Sequence, residues 1–157
     1  MCKIDIALSL SESNELTKNY GCILDYASTV CGSLSLVVRT SLMLSASGYL
    51  VLEKLNPFLV EISEVNKWPG TILLGGTASL YKFAYNRESG TLLKEVASNV
   101  FDWIQPDFPE DLCLYRPDGS VWLTTISHER DAYLSVTSIE TEEIKLICPD
   151  LYSRMLV

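Results

Sequence analysis

The chemistry open to this chain is bounded by its one histidine. No side chain but His128 titrates near neutrality without a large shift. Any Ser–His–Asp or Cys–His arrangement would therefore have to run through it. Ser127, Glu129 and Asp131 are its neighbours in sequence. Cys113 falls on the preceding hairpin arm, which makes a Cys113–His128 pair geometrically conceivable. With Cys113 or Ser127 as nucleophile, the chemistry would be hydrolysis or group transfer. No local signature of a nucleophile motif surrounds these residues, and alternation in an extended chain points Glu129 away from His128. A structural or exposed histidine is the better reading, so no catalytic residue is expected.

Other chemistries have less to work with. The five cysteines, Cys2, Cys22, Cys31, Cys113 and Cys148, contain no C-x-x-C pair. Their spacing fits no zinc or redox pattern. Buried or free thiols in a reducing cytoplasm are expected instead. With one histidine and no Asp/Asn-rich calcium loop, no metal site is expected. Gly75-Gly76-Thr77 lacks the spacing of a phosphate-binding loop, and the dinucleotide fingerprint is absent, so no cofactor is expected.

Binding is the remaining chemistry, and charge selects the partner. The chain has 20 acidic and 12 basic residues, a net charge of −8. Nucleic acids are held mainly by Lys and Arg on phosphates, and the few basic residues form no cluster, so neither nucleic acid nor an anionic membrane surface is expected. A basic protein is the natural partner, although acidity also serves solubility. The densest acids are Asp102, Asp107, Glu110 and Asp111, a candidate acidic rim or simply solvated loop acids. Tyr81, Phe83, Tyr85, Trp103, Tyr115 and Trp122 would line a groove or fill the sheet core. Spacing of two favours core for Phe83 and leaves Tyr85 and Trp103 open. The candidate binding set is thus Asp102, Trp103, Asp107, Glu110, Asp111, Tyr85 and Trp122.

The elements that must position these residues follow from periodicity. At 157 residues, 48% hydrophobic and 20% charged, one globular domain spanning 1–157 is expected. The stretch Leu34 to Val51 is too polar to span a bilayer, and no signal peptide is read at the start. Leu16, Tyr20, Ile23, Leu24, Ala27 and Cys31 recur at steps of three and four, one helical face, with Gly32 as its stop. Ser9 with Glu12 has capping-box spacing, with Ser11 and Ser13 as rival starts. The period then changes to two through Leu34, Leu36 and Val38, on through Leu42 and Leu44, with Gly48 opening Tyr49 to Leu55. Phe58, Val60 and Ile62 read as the buried face of a strand whose wet side carries Glu61. Lys67 to Gly70 is a turn. Ile72 to Asn86 reads as extended. A helix with Leu92, Leu93, Val96, Val100, Phe101 and Ile104 on one side is closed by Pro106 and Pro109. Pro117-Asp118-Gly119 turns a hairpin between Leu112–Tyr115 and Val121–Ile126. Tyr133 to Val136 is a further strand. A last helix, Ile139 to Ile147, has Thr137 and Glu140 at capping-box spacing, Glu142-Glu143 at its start, and Pro149 after it. The order predicts an α+β fold, a mostly antiparallel sheet with about three helices packed on one face or at its ends.

The run Pro109 to Tyr115, the turn, Trp122 to Leu134 and the closing acidic helix resemble the C-terminal part of small bacterial immunity-type proteins. The resemblance covers about a third of the chain. It implies a cytoplasmic α+β protein that neutralises a toxin by covering its active site, and it carries no catalytic residues. The function expected is a non-enzymatic protein-binding domain of that type. The alternatives are a small hydrolase or transferase using Cys113 or Ser127 with His128, and a structural or oligomeric subunit.

Overall fold

The computed structural model describes residues 2–10 and 16–156. Along the chain run β1 (Lys3–Ala7), α1 (Leu16–Val30), β2 (Ser33–Arg39), α2 (Ala46–Leu55), β3 (Leu59–Val65), β4 (Lys67–Trp68) and β5 (Thr71–Ile72). These are followed by β6 (Ala78–Ala84), α3 (Arg87–Val96), β7 (Glu110–Tyr115), β8 (Val121–Ile126), β9 (Asp131–Thr137), α4 (Ser138–Ile147) and α5 (Pro149–Tyr152). Seven strands form one antiparallel sheet in the order β1-β9-β8-β7-β2-β6-β3, while β4 and β5 make a separate hairpin. The fold is α+β, as the sequence order implied.

The helices share one face of the sheet. One core cluster takes Tyr20, Ile23, Leu24 and Ala27 from α1, Val51, Leu52 and Leu55 from α2, and Leu93, Ile144 and Leu151 from α3, α4 and α5. The sheet meets them with Leu34, Leu36, Phe83, Leu112, Leu114, Trp122, Leu123, Leu134 and Val136. Burying side chains of this size removes about 1.5–3 kcal/mol of exposure cost apiece, before the entropy of ordering them. The opposite face is crossed by the β4–β5 hairpin, where Trp68 packs with Val37 and Ala78. At the hairpin tip Gly70 has φ +85°, and a Cβ there would sit 2.9 Å from Ile126 Cγ1, so the turn lies directly on β8.

Several elements form for the reasons read from sequence. Thr137 accepts from the Glu140 N–H and Glu140 accepts from the Thr137 N–H, a full capping box at α4. Pro117-Asp118-Gly119 turns β7 into β8, with Gly119 at φ +87° and the Arg116 N–H bonded to Ser120 O. Arg116 is buried and grips both Glu140 oxygens and Ser135 O, fastening this turn to β9 and α4. Breaking such a pair from one side costs about 3–5 kcal/mol.

Other elements differ from the expectation. Tyr49 to Leu55 is helical, not extended. Ser45 caps α2 by accepting from Gly48 N, and a Cβ at Gly48 would lie 2.3 Å from Leu44 Cδ1. This glycine gives close packing rather than a chain break. The helix expected to reach Pro106 ends at Val96, because Asp102 draws the next residues into a tight loop. Its carboxylate accepts from the Ser98 N–H and hydroxyl and from the Asn99 N–H and side chain. The described residues form five α-helices, α2 and α5 being additional to the three expected. Ser11, Glu12 and Ser13, the rival caps of α1, lie outside the described residues. No helix among the described residues is long and apolar enough to cross a membrane.

Candidate binding surface

The structure does not bring the three candidate catalytic residues together. Cys113 is fully buried on β7, and burial pushes its thiol up to about 12. A thiol so placed is a poor nucleophile. Ser127 is also fully buried, and its hydroxyl donates to Val100 O at 3.3 Å. His128 stands half exposed in the short 3-10 turn after β8, with Glu129 Oε1 at 3.8 Å as its ionic neighbour. No hydrogen bond among the described residues links it to Cys113 or Ser127. Nor do any three of His, Cys, Asp and Glu among the described residues group as metal ligands.

The candidate binding set divides sharply by burial. Trp103 and Trp122 have no exposed surface, and Tyr85 has almost none. The Tyr85 hydroxyl donates to Leu24 O at 2.6 Å, and Gly90 leaves it room, since a Cβ there would lie 2.9 Å from that oxygen. These aromatics belong to the core, where alternate side chains of the strands and the loop after α3 converge. Tyr85, Trp103 and Trp122, candidates for a binding groove, are instead core side chains.

Of the four candidate rim acids, Glu110 and Asp111 are buried as well. Asp111 is buried at φ +57°, its carboxylate accepting from Trp68 Nε1 at 2.9 Å and from the Ser127 N–H at 3.0 Å. Glu110 pairs with Arg39 Nε at 2.7 Å, while Gln105 accepts from the Arg39 N–H and reaches the carbonyls of Arg39, Leu42 and Met43. Burial raises the Glu110 carboxyl above the usual carboxylate range, against the opposing pull of Arg39. Arg39 also lies over the Trp68 ring at 5.2 Å. Asp102 is spent on its loop. Only Asp107 is exposed. This cluster pins the β4–β5 hairpin, β2 and the loop before β7 to one another.

Exposed apolar side chains occur at several places, among them the β5 region at Ile72 and Leu74 and the end of α4 at Leu146 and Ile147; one group lies where β3 passes α2. Asn56 and Pro57 turn α2 directly into β3, and the strand pairs only with β6, leaving its other edge open. A β-bulge at Val60 shifts the register between Leu59 and Glu61. Val60 is 59% and Ile62 52% exposed, where the alternation predicted a buried face. The bulge breaks the alternation: Leu59, read on the Glu61 side, faces the helix-bearing core opposite Phe83, and only from Glu61 onward do the sides fall as read. Ile62 pairs with Tyr81 on the helix-bearing face, yet α2 stops short of it. A notch of about 390 Å³ is left, lined by Tyr49, Leu52, Glu53, Pro57, Ile62 and Tyr81. Tyr49 is 60% exposed beside it, and Leu50 on the same helix 49%. Glu53 lines it, Glu64 stands exposed on the same face of β3 and Glu61 on the opposite one, and none has an ion-pair partner among the described residues.

The two sheet edges differ. At β1 the end of the strand is covered by the C-terminal segment, through Ser9 N–H to Arg154 O at 2.8 Å and Leu156 N–H to Ala7 O at 3.0 Å. The edge of β3 receives no backbone hydrogen bond from the described residues outside β6. An open strand edge beside exposed apolar side chains is a template for pairing. Comparison with protein-family models, curated proteins and solved structures gave no match.

Proposed function

We propose that the chain is a non-catalytic protein-binding domain. The observation that carries this reading is the corner where Tyr49, Leu50, Val60 and Ile62 stand exposed beside the unpaired edge of β3. Exposed apolar groups collected at one place, and rimmed by charge, mark interaction sites on otherwise polar surfaces. The burial of Cys113 and Ser127 away from His128 favours it over a hydrolase or transferase. A net charge of −8 favours a basic partner.

The narrower form of the proposal is an immunity-type inhibitor of a basic toxin, supported by the resemblance of residues 109–134 and α4 to such proteins. In that region Leu112, Leu114, Trp122, Leu123 and Leu134 are core, so the contact would be made by other parts of the surface. Affinity capture from the native cell at low salt, followed by calorimetry with the purified partner, tests the proposal. The expected result is tight binding that weakens with salt and is unchanged in His128→Ala. Turnover of a substrate that disappears in His128→Ala would overturn it, as would the absence of any partner at low salt.

A further inference from the structure

Building on the binding-protein reading, we infer that the open edge of β3 receives an extended basic segment of a partner protein as an added strand. The segment carries an apolar residue flanked by two cations.

The site is defined by what β3 presents on each side. Pleat alternation places Ile62 and Glu64 on the helix-bearing face, where Ile62 adjoins the Tyr49 notch, and Glu61 on the other. An antiparallel strand docked on this edge sets one residue opposite Ile62, the next opposite Glu61, and the one two places before opposite Glu64. Main-chain hydrogen bonds would supply affinity, and alternate side chains specificity. The residue opposite Ile62 must be apolar, because it covers the side chains that α2 leaves bare. Glu61 faces Lys82 of β6 but forms no ion pair with it among the described residues, and Glu64 faces Ser79. Cations opposite Glu61 and Glu64 from the open side are favoured, because opposite charges directly across a pair stabilise it and like charges destabilise it. Glu53, lining the notch, adds a second negative charge beside Glu64 on the helix-bearing side.

The same charges argue against a second copy of this chain as the occupant. In a two-fold pairing centred on Ile62, Glu61 of one strand falls opposite Ser63 of the other. The two Glu61 side chains are then diagonal neighbours, about 7–8 Å apart. Glu64 faces the apolar Val60. The Val60 bulge also confines regular pairing to Glu61–Val65, a short edge suited to a peptide strand rather than to a continuous two-molecule sheet.

Two short fluorescein-labelled peptides test this on the full chain by anisotropy. One alternates threonine with Lys-Thr-Val-Lys at its centre, and its twin has glutamate for each lysine. The basic peptide is expected to bind at least about tenfold tighter, a margin that shrinks at high salt. Hydrogen exchange is expected to slow at amides 61–65 only when it is bound. Glu61→Lys/Glu64→Lys, two exposed changes that leave the core alone, should reverse the preference. Equal binding of the twins, an unchanged preference in the swapped chain, or protection confined to other amides would overturn the edge assignment. Concentration-dependent dimerisation abolished by the swap would also overturn it, in favour of a second copy. A cellular partner still bound by the swapped chain would remove this site while leaving the binding-protein reading intact.

Discussion

Two regions of this molecule are built from the same materials, carboxylates beside aromatic and aliphatic side chains, and put them to opposite use. Asp102 in the loop before β7, and Glu110 and Asp111 at the start of that strand, give their oxygens to donors supplied by Ser98, Asn99, Arg39, Trp68 and Ser127. At the α2–β3 corner, Glu53, Glu61 and Glu64 meet no donor among the described residues, and the apolar groups between them are bare. The difference lies in where the backbone places donors. The tight loop and the positive φ of Asp111 bring N–H groups onto a carboxylate, whereas an edge strand spends half its donors on one neighbour. A carboxylate with internal donors is architecture; one without them is available to another molecule.

The comparison can be broken from the buried side first. Trp103→Ala removes a fully buried ring that packs edge-on against Phe108 at 5.4 Å, and should cost about 3–5 kcal/mol in chemical denaturation. If it costs under about 1 kcal/mol, the loop is not the packed region described. Asp111→Ala strands the Trp68 and Ser127 N–H groups, each worth about 1–3 kcal/mol when buried without an acceptor. Asp111→Asn keeps one acceptor oxygen and should cost less. Equal losses would show that the one oxygen Asn retains does not hold the loop by itself, and that both acceptors are needed together.

A pH titration separates the regions again. Burial pushes the Cys31 and Cys113 thiols up to about 12 from an ordinary 9.0. The folded chain keeps those protons while the unfolded chain releases them. Stability is therefore full below pH 9 and falls as pH rises from there toward 12, by about 1.4 kcal/mol per unit for each group. The corner glutamates should leave this limb unchanged, and denaturation of the Glu61→Lys/Glu64→Lys chain between pH 8 and pH 11 checks that. The smallest effect is expected at the corner itself. Glu53→Gln, Glu61→Gln and Glu64→Gln should each shift stability by no more than about 0.5 kcal/mol. A larger loss from any of them would mean that the side chain has an internal role.

What could be read in advance was local chemistry with its own signature. The Thr137–Glu140 box and the Pro117-Asp118-Gly119 turn specify their backbones within a few residues, and both form as read. Gly48 was ambiguous, since a glycine in an apolar run marks either a break or a close approach. Only Leu44 and the carbonyl of Pro106, 3.0 Å from where its Cβ would be, decide for the second. Periodicity found the strand at Val60 and Ile62 but not their exposure, which depends on how far α2, a distant decision of the fold, extends across the sheet. For the same reason Glu110 and Asp111 read as candidate rim acids, and Trp103 stays open between groove and core. The partners Arg39 and Trp68 are remote in sequence, and the Asp102 turn resembles any polar linker. The candidate binding corner was thus present in the reading only as a strand.

The position of β1 at the edge beside β9 has a consequence for how the chain is made. Lys3 pairs with Thr137, so β1 has no place in this sheet until β9, synthesised long after it, has emerged. Contacts of such long sequence separation are slow to form, because the loop they close must be ordered first. The central pairing of β2 with β6 closes a much shorter loop. Synthesis thus allows a growing chain to order its middle while its beginning waits, with Ile6 and Leu8, buried in the finished molecule, still in water. During that interval the nascent chain offers the kind of apolar strand that chaperones hold.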